Sequence, residues 1–308
     1  MKPASLFTTL FITLLPCLFN TTKAQNDSQY EKAKAIYQWE CDNIEYDTKY
    51  KIYDGETCRK KKKGVCQAYC ELFIMMAQEC ELEAEMITGS VKTSSHPNGD
   101  ENHAWIKALT EKGWILIDPT WGAGTVNGHT FTPSNHDMSW FDVNPQWMIF
   151  SHLPDDPENQ LLNQPITETS FKSLPDIHPF MQDYGFNAPV LLNYYLENPQ
   201  NCFPTVHKIV SLGDFQIVDI PLNNILYVDS TYTFSIRNFG EEASPQIYLD
   251  NNEKGIIPED EWTIEENLYT IEICPQSKGK LILLYGKTQK TGQSTYEGVL
   301  TYEIKKRY

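Results

Sequence analysis

The sequence predicts an α+β chain in which a helix carrying Cys66 packs against an antiparallel sheet, followed by an all-β sandwich domain. Three observations carry this expectation. Val65, Tyr69, Leu72, Phe73, Met76, Ala77 and Cys80 recur at three- and four-residue spacing, the mark of an amphipathic helix with one buried stripe. Two alternating runs, His103 to Leu109 and Trp114 to Asp118, flank the turn-forming Thr110-Glu111-Lys112-Gly113 and read as a hairpin. Beyond about residue 170, short alternating runs such as Phe215 to Ile220, Thr231 to Ile236, Leu268 to Ile273 and Leu281 to Tyr285 are separated by Gly, Pro, Asn and Asp, as in an antiparallel sandwich.

Taken in order, Met1 to Ala24 has a basic residue near its start, an apolar run from Leu6 to Phe19 and a small-residue end. It reads as a secretory signal peptide, too short and too interrupted for a membrane span. A length of 308 residues with 41% hydrophobic residues is ample for two cores. The expected division is a core domain over residues 25–167 and a β-sandwich, immunoglobulin-like domain over 168–308. Glu31 to Asn43 has helical spacing, Lys49 to Lys63 reads as a polar loop ending in four consecutive lysines, and Ala84 to Val91 reads as a strand. The prolines between Trp140 and Pro157 preclude a long helix or a central strand there, so this aromatic stretch is expected to be an ordered packing segment.

Charge and cysteine content narrow the function classes. Removing Lys2 and Lys23 with the signal peptide takes the formal charge from −16 to −18. That acidity argues against nucleic acid or an anionic membrane as partners and favours a secreted or other extracytoplasmic protein with no membrane insertion. Seven of the eight cysteines follow the signal peptide, and an odd number implies at least one free thiol.

Cys66, His103 and Asp118 are the candidate catalytic residues: a thiol nucleophile, its acid/base and an orienting carboxylate. In the first turn of its helix, Cys66 meets backbone N–H groups and the positive end of the helix dipole, which favour thiolate and can hold an oxyanion. If the hairpin turn centres on Glu111-Lys112, Leu109 faces Trp114 and Trp105 faces Asp118. His103 then lies one diagonal step from Asp118 on the same sheet face, whereas a one-residue slip would separate them. Cys66, Cys70 and His103 are also metal-ligand types, but no paired CxxC knuckle accompanies them, so neither a metal nor a cofactor is expected.

With these residues in view the chain resembles the transglutaminase-like superfamily of papain-related thiol enzymes, in the branch named after the kyphoscoliosis peptidase. The resemblance rests on Trp39 with Asn43-Ile44 and Tyr46-Asp47, Gly64-Val65-Cys66, His103-Ala104-Trp105, Asp118 to Gly124, and the segment Trp140 to Leu162. It implies a transglutaminase-like, papain-like core in which Cys66 is the nucleophile, His103 the general acid/base and Asp118 the orienting carboxylate. The expected activity is secreted thiol acyl transfer on a protein or peptide substrate, with hydrolysis of peptide or glutamine amide bonds ahead of amine-transferring crosslinking. The competing expectation is an inactive binding or scaffold protein on the same fold, engaging a surface partner through its C-terminal domain.

Overall fold

The computed structural model describes residues 28–207, 215–240, 243–250, 255–257, 261–288 and 294–307. The expected signal peptide, Met1 to Ala24, lies outside them. Among the described residues no helix is long and apolar enough to cross a membrane.

The described chain forms two compact units. One comprises the chain up to Gly89 with Asn102–Asn144 and Pro154–Leu161; the other comprises Ser90–Glu101, Pro145–Leu153 and the residues from Leu162 onward. In the first, α1 (Gln29–Asn43) is capped by the Ser28 side chain and buries Ala33, Ile36, Tyr37, Glu40 and Cys41. After β1 (Glu45–Tyr46) comes α2 (Gly55–Lys61), then β2 (Lys63–Gly64), which pairs parallel with β1. Next is α3 (Cys66–Glu79), burying Ala68, Tyr69, Cys70, Leu72, Phe73, Met76 and Ala77. Each large side chain on that stripe contributes roughly 1.5–3 kcal/mol relative to exposure, which fixes the face α3 turns to the core.

The sequence expectation of a loop over Lys49 to Lys63 needs correction, because α2 occupies half of it. Only Gly55 and Cys58 of α2 are buried, so it has no apolar stripe to read. Its signals are at its ends: the Asp54 side chain accepts from the Thr57 N–H, and Arg59, Lys60 and Lys61 sit in the last turn, where the dipole favours cations.

The main sheet contains β3 (Ala84–Val91), β4 (Glu101–Thr110), β5 (Gly113–Ile117), β8 (Phe141–Val143) and β9 (His152–Pro154), in the order β8-β5-β4-β3-β9. Strands β8 and β9 are therefore the edges, in keeping with Pro145 just after β8 and Pro154 within β9. Between β5 and β8 lie α4 (Pro119–Ala123) and the hairpin of β6 (Gly124–Asn127) and β7 (Thr130–Pro133). The hairpin register pairs Leu109 with Trp114 and Ile106 with Ile117, as the turn composition predicts.

The second unit holds the short helices α5 (Pro145–Met148), α6 (Glu168–Ser173) and α7 (Ala188–Glu197) ahead of two sheets. One sheet contains β10 (Thr205–Val206), β12 (Ile225–Tyr227), β14 (Ala243–Asp250), β15 (Gly255–Ile256), β18 (Gly279–Thr288) and β19 (Ser294–Lys305). It is antiparallel except where β12 joins β19. The other has the order β11 (Phe215–Asp219), β13 (Tyr232–Asn238), β17 (Leu268–Ile273) and β16 (Thr263–Glu265), all antiparallel. Their inner faces meet through the ring pairs Phe215–Tyr285 and Phe234–Tyr302 and through the Tyr285 hydroxyl, which donates to Asn238 at 2.8 Å. This is the sandwich expected of alternating strands with one apolar face each.

Candidate active site

The three residues singled out in the sequence meet in the first unit. Asp118 is fully buried at the end of β5, and its Oδ2 lies 2.7 Å from His103 Nε2 on β4. Its Oδ1 accepts from the Trp121 N–H at 2.9 Å, so the same carboxylate caps α4. Asp118 N–H in turn donates to the Trp140 carbonyl at 2.9 Å, fixing the side chain's origin. His103 is also hydrogen-bonded to the Cys66 side chain. Because Nε2 is engaged by the carboxylate, the imidazole works as a bridge between thiol and carboxylate.

The rings around the imidazole restrict its rotation. Trp105, on the same strand and face, stacks nearly parallel to it at 6.2 Å, and Trp121 lies tilted at 5.6 Å. Trp140 then packs edge-on against Trp121 at 4.8 Å. These tryptophans are the wall of the site, and Trp105 is wholly buried, as a core residue would be.

Cys66 is the first residue of α3, and its cap, Val65, has no side-chain hydrogen bond to the helix. The first N–H groups of any helix have no intrahelical partner, so donors cluster beside the sulfur. Burial pushes the thiol's pKa up, but the hydrogen bond and charge of His103, joined by the Ala104 N–H, outweigh it and bring it below the ordinary 9.0. The Ala104 amide is a contact that sequence reasoning missed, since a backbone donor leaves no residue-type signature. For His103, burial favours the neutral ring, yet the charge and hydrogen bond of Asp118 and the Cys66 sulfur raise it to about 10. Both shifts favour a thiolate–imidazolium pair backed by a carboxylate.

The lysine run is not part of this electrostatic set. Lys60 and Arg59 pair with Glu56, Arg59 also with Glu79, Lys63 with Glu45, and Lys62 lies over the Trp39 ring. The run is a solvated, locally neutralised surface. Gln38 Nε2 donates to the Met138 sulfur at 3.9 Å.

All seven described cysteines are free thiols. Burial, joined by nearby acidic groups such as Glu40, raises Cys41 and Cys70 well above the usual thiol range and pushes Cys58 up to about 12. Glu40 itself is fully buried in this core, and burial holds its carboxyl in the neutral form. Cys66 combines partial access with a lowered pKa.

The segment that follows β5 is helical, and α4 begins directly after Asp118. Asp118 at the cap and Pro119 at the first helical position are a recognised helix start. Gly122 is there for packing: a Cβ at this position would run into the Tyr37 side chain, whose hydroxyl donates to the Asp137 carbonyl. Gly122→Ala is expected to destabilise the protein by about 1–3 kcal/mol through overpacking, measurable as a lower urea midpoint with unchanged slope.

The comparisons with known proteins follow the same residues. Residues 18–119 match the model of the Transglutaminase-like superfamily, a span that includes Cys66, His103 and Asp118. Kyphoscoliosis peptidase of Mus musculus is 29% identical over 159 residues, covering 47% of this chain and 24% of that protein. Its Homo sapiens counterpart is 29% identical over 156 residues, covering 46% and 23%. The chain thus spans about a quarter of the length of these curated relatives. A solved TGase structure is 20% identical, covering 40% of this chain and 34% of that one at a TM-score of 0.27. Over residues 18–119 the chain is thus similar to the transglutaminase-like superfamily.

Proposed function

We propose that the protein is a thiol acyl-transfer enzyme that hydrolyses peptide or glutamine amide bonds through Cys66, His103 and Asp118. The observation that carries this reading is the imidazole held between a buried carboxylate at 2.7 Å and the thiol at a helix start. The Cys66 thiolate attacks the amide carbonyl carbon, and the carbonyl π pair moves to oxygen, where the Cys66 N–H stabilises it. Collapse breaks the C–N bond while the His103 imidazolium gives its proton to the departing nitrogen, leaving a thioester and a neutral ring. His103 then takes a proton from water, the resulting hydroxide adds to the thioester, and the thiolate leaves to re-form the ion pair. A lysine amine in place of water would give an isopeptide crosslink. The acidic composition and the leader-like residues Met1 to Ala24 support work outside the cytoplasm on protein or peptide substrates.

Alkylation by iodoacetamide tests the reading. At pH 7, Cys66 is expected to react at least about tenfold faster than the exposed Cys202 and Cys274, because only the thiolate is nucleophilic. His103→Ala is expected to slow it to their level. A peptide library scored for cleavage, deamidation and amine incorporation, with Cys66→Ala as control, then identifies the acceptor. Equal, slow labelling of all three cysteines in the wild type would favour an inactive scaffold.

A further inference from the structure

The entrance to α3 depends on a residue outside the three just described. Asp47 follows β1 and is buried. Its carboxylate accepts the N–H groups of Lys49, Lys51 and Ile52 at 3.2, 2.8 and 3.0 Å, which closes the chain into a tight loop. Two bonds then tie this loop to the residues that lead into Cys66. The Asp47 N–H donates to the Gly64 carbonyl at 2.9 Å, and the Val65 N–H donates to the Ile52 carbonyl at 3.0 Å. Val65 is the cap of α3, and its own side chain fixes nothing at the helix start. Within the loop Tyr50 has a left-handed backbone (φ 52), a conformation a tyrosine keeps only when its surroundings impose it. Although burial opposes ionisation, the three amides hold the Asp47 carboxyl below its usual range.

We propose that Asp47 is a positioning residue for the nucleophile: by gathering loop 48–52 it sets the backbone of Gly64 and Val65, and through them the direction of the Cys66 side chain and N–H. The proposal rests on the acyl-transfer reading and assigns to Asp47 no contact with substrate. Its charge is matched to three donors, a set that a neutral amide with one acceptor oxygen cannot satisfy. Sub-ångström drift at Val65 would carry Cys66 away from His103 and the Ala104 N–H, the two groups that favour its thiolate.

The test uses Asp47→Asn and Asp47→Ala in the full chain, with Ile87→Ala, a buried position on β3, as a reference for general loss of stability. Iodoacetamide labelling of Cys66 is followed against pH, well below each protein's unfolding temperature. Asp47→Asn is expected to slow labelling at pH 7 about tenfold, the scale of a small misplacement of a reacting atom, and to move the midpoint up toward that of an ordinary thiol. Asp47→Ala does the same or more, whereas Ile87→Ala lowers the unfolding temperature and leaves the midpoint in place. On a cleaved or deamidated peptide, Asp47→Asn lowers kcat and leaves KM nearly unchanged. A wild-type midpoint in Asp47→Asn, or a loss no larger than that of Ile87→Ala, overturns the assignment. A wild-type Cys66 no faster than Cys202 defeats the acyl-transfer reading and this one with it; a fast Cys66 that ignores Asp47→Asn defeats this one alone.

Discussion

Asp118→Asn is expected to lower turnover by about 10³–10⁴-fold while leaving the chain folded. The asparagine retains an acceptor for the Trp121 N–H, so α4 stays capped. What disappears is the negative charge 2.7 Å from His103 Nε2, the largest influence favouring the imidazolium. Without it, burial returns the ring to its neutral form, the thiol keeps its proton, and the ring's orientation is no longer set by an acceptor-only partner. Asp118→Ala separates the two roles of this carboxylate. It also strands a buried histidine and uncaps α4, so it is expected to cost about 3–5 kcal/mol for the broken buried pair and about 1 kcal/mol for the cap. Urea unfolding of both variants beside their turnover checks the division. Equal stability loss in the two would refute it.

A second large effect concerns pH. Cys66 titrates below its ordinary 9.0 and His103 above its ordinary 6.5, near about 10. Acyl transfer is therefore expected to follow a broad bell, rising through the lowered thiol pKa and falling as His103 loses its proton, tenfold per pH unit on each limb. The pair titrates as a unit, so the two limbs belong to it jointly. Stability follows from the same shifts. The raised His103 contributes stability fully present below 6.5 and lost as pH rises through about 10; the lowered Cys66 contributes stability present above 9.0 and lost as pH falls through its folded value. Where the two windows overlap, above both 6.5 and the folded Cys66 value and below 9.0, the two slopes have opposite sign and cancel; above 9.0 the His103 loss acts alone and stability falls. Denaturant midpoints of wild type and Cys66→Ala across that range test this. A wild-type curve parallel to that of Cys66→Ala would show that the pair is not ionised.

Much of the site was legible in sequence because its geometry is local. The turn over Thr110 to Gly113 fixes Leu109 against Trp114, and that register alone puts His103 and Asp118 on one face. The apolar stripe from Val65 to Met76 places Cys66 at a helix tip for an equally local reason. In the first unit two helices escaped because neither carries a hydrophobic period. Helix α2 is a charged surface turn with two buried residues, and α4 is a single turn whose start, Asp118-Pro119, was read for chemistry and strand ending instead of capping. Gly122 answers to the Tyr37 ring, an α1 residue more than eighty positions earlier, which no local pattern announces. The Ala104 amide and the Asp47 loop were out of reach for a related cause: both act through main-chain donors, which any residue type supplies.

The bare cap of α3 has a cost that shows its use. A serine or aspartate at position 65 would fold its oxygen onto the second or third amide of the helix and stabilise the protein by about 1 kcal/mol. The same bond would occupy the Gln67 or Ala68 N–H, donors that stand beside the Cys66 N–H proposed to hold an oxyanion and add to the field at the helix tip. Val65 forgoes that stability and keeps the helix tip hungry for a negative oxygen, an instance of a fold leaving strength unused where reactivity is wanted.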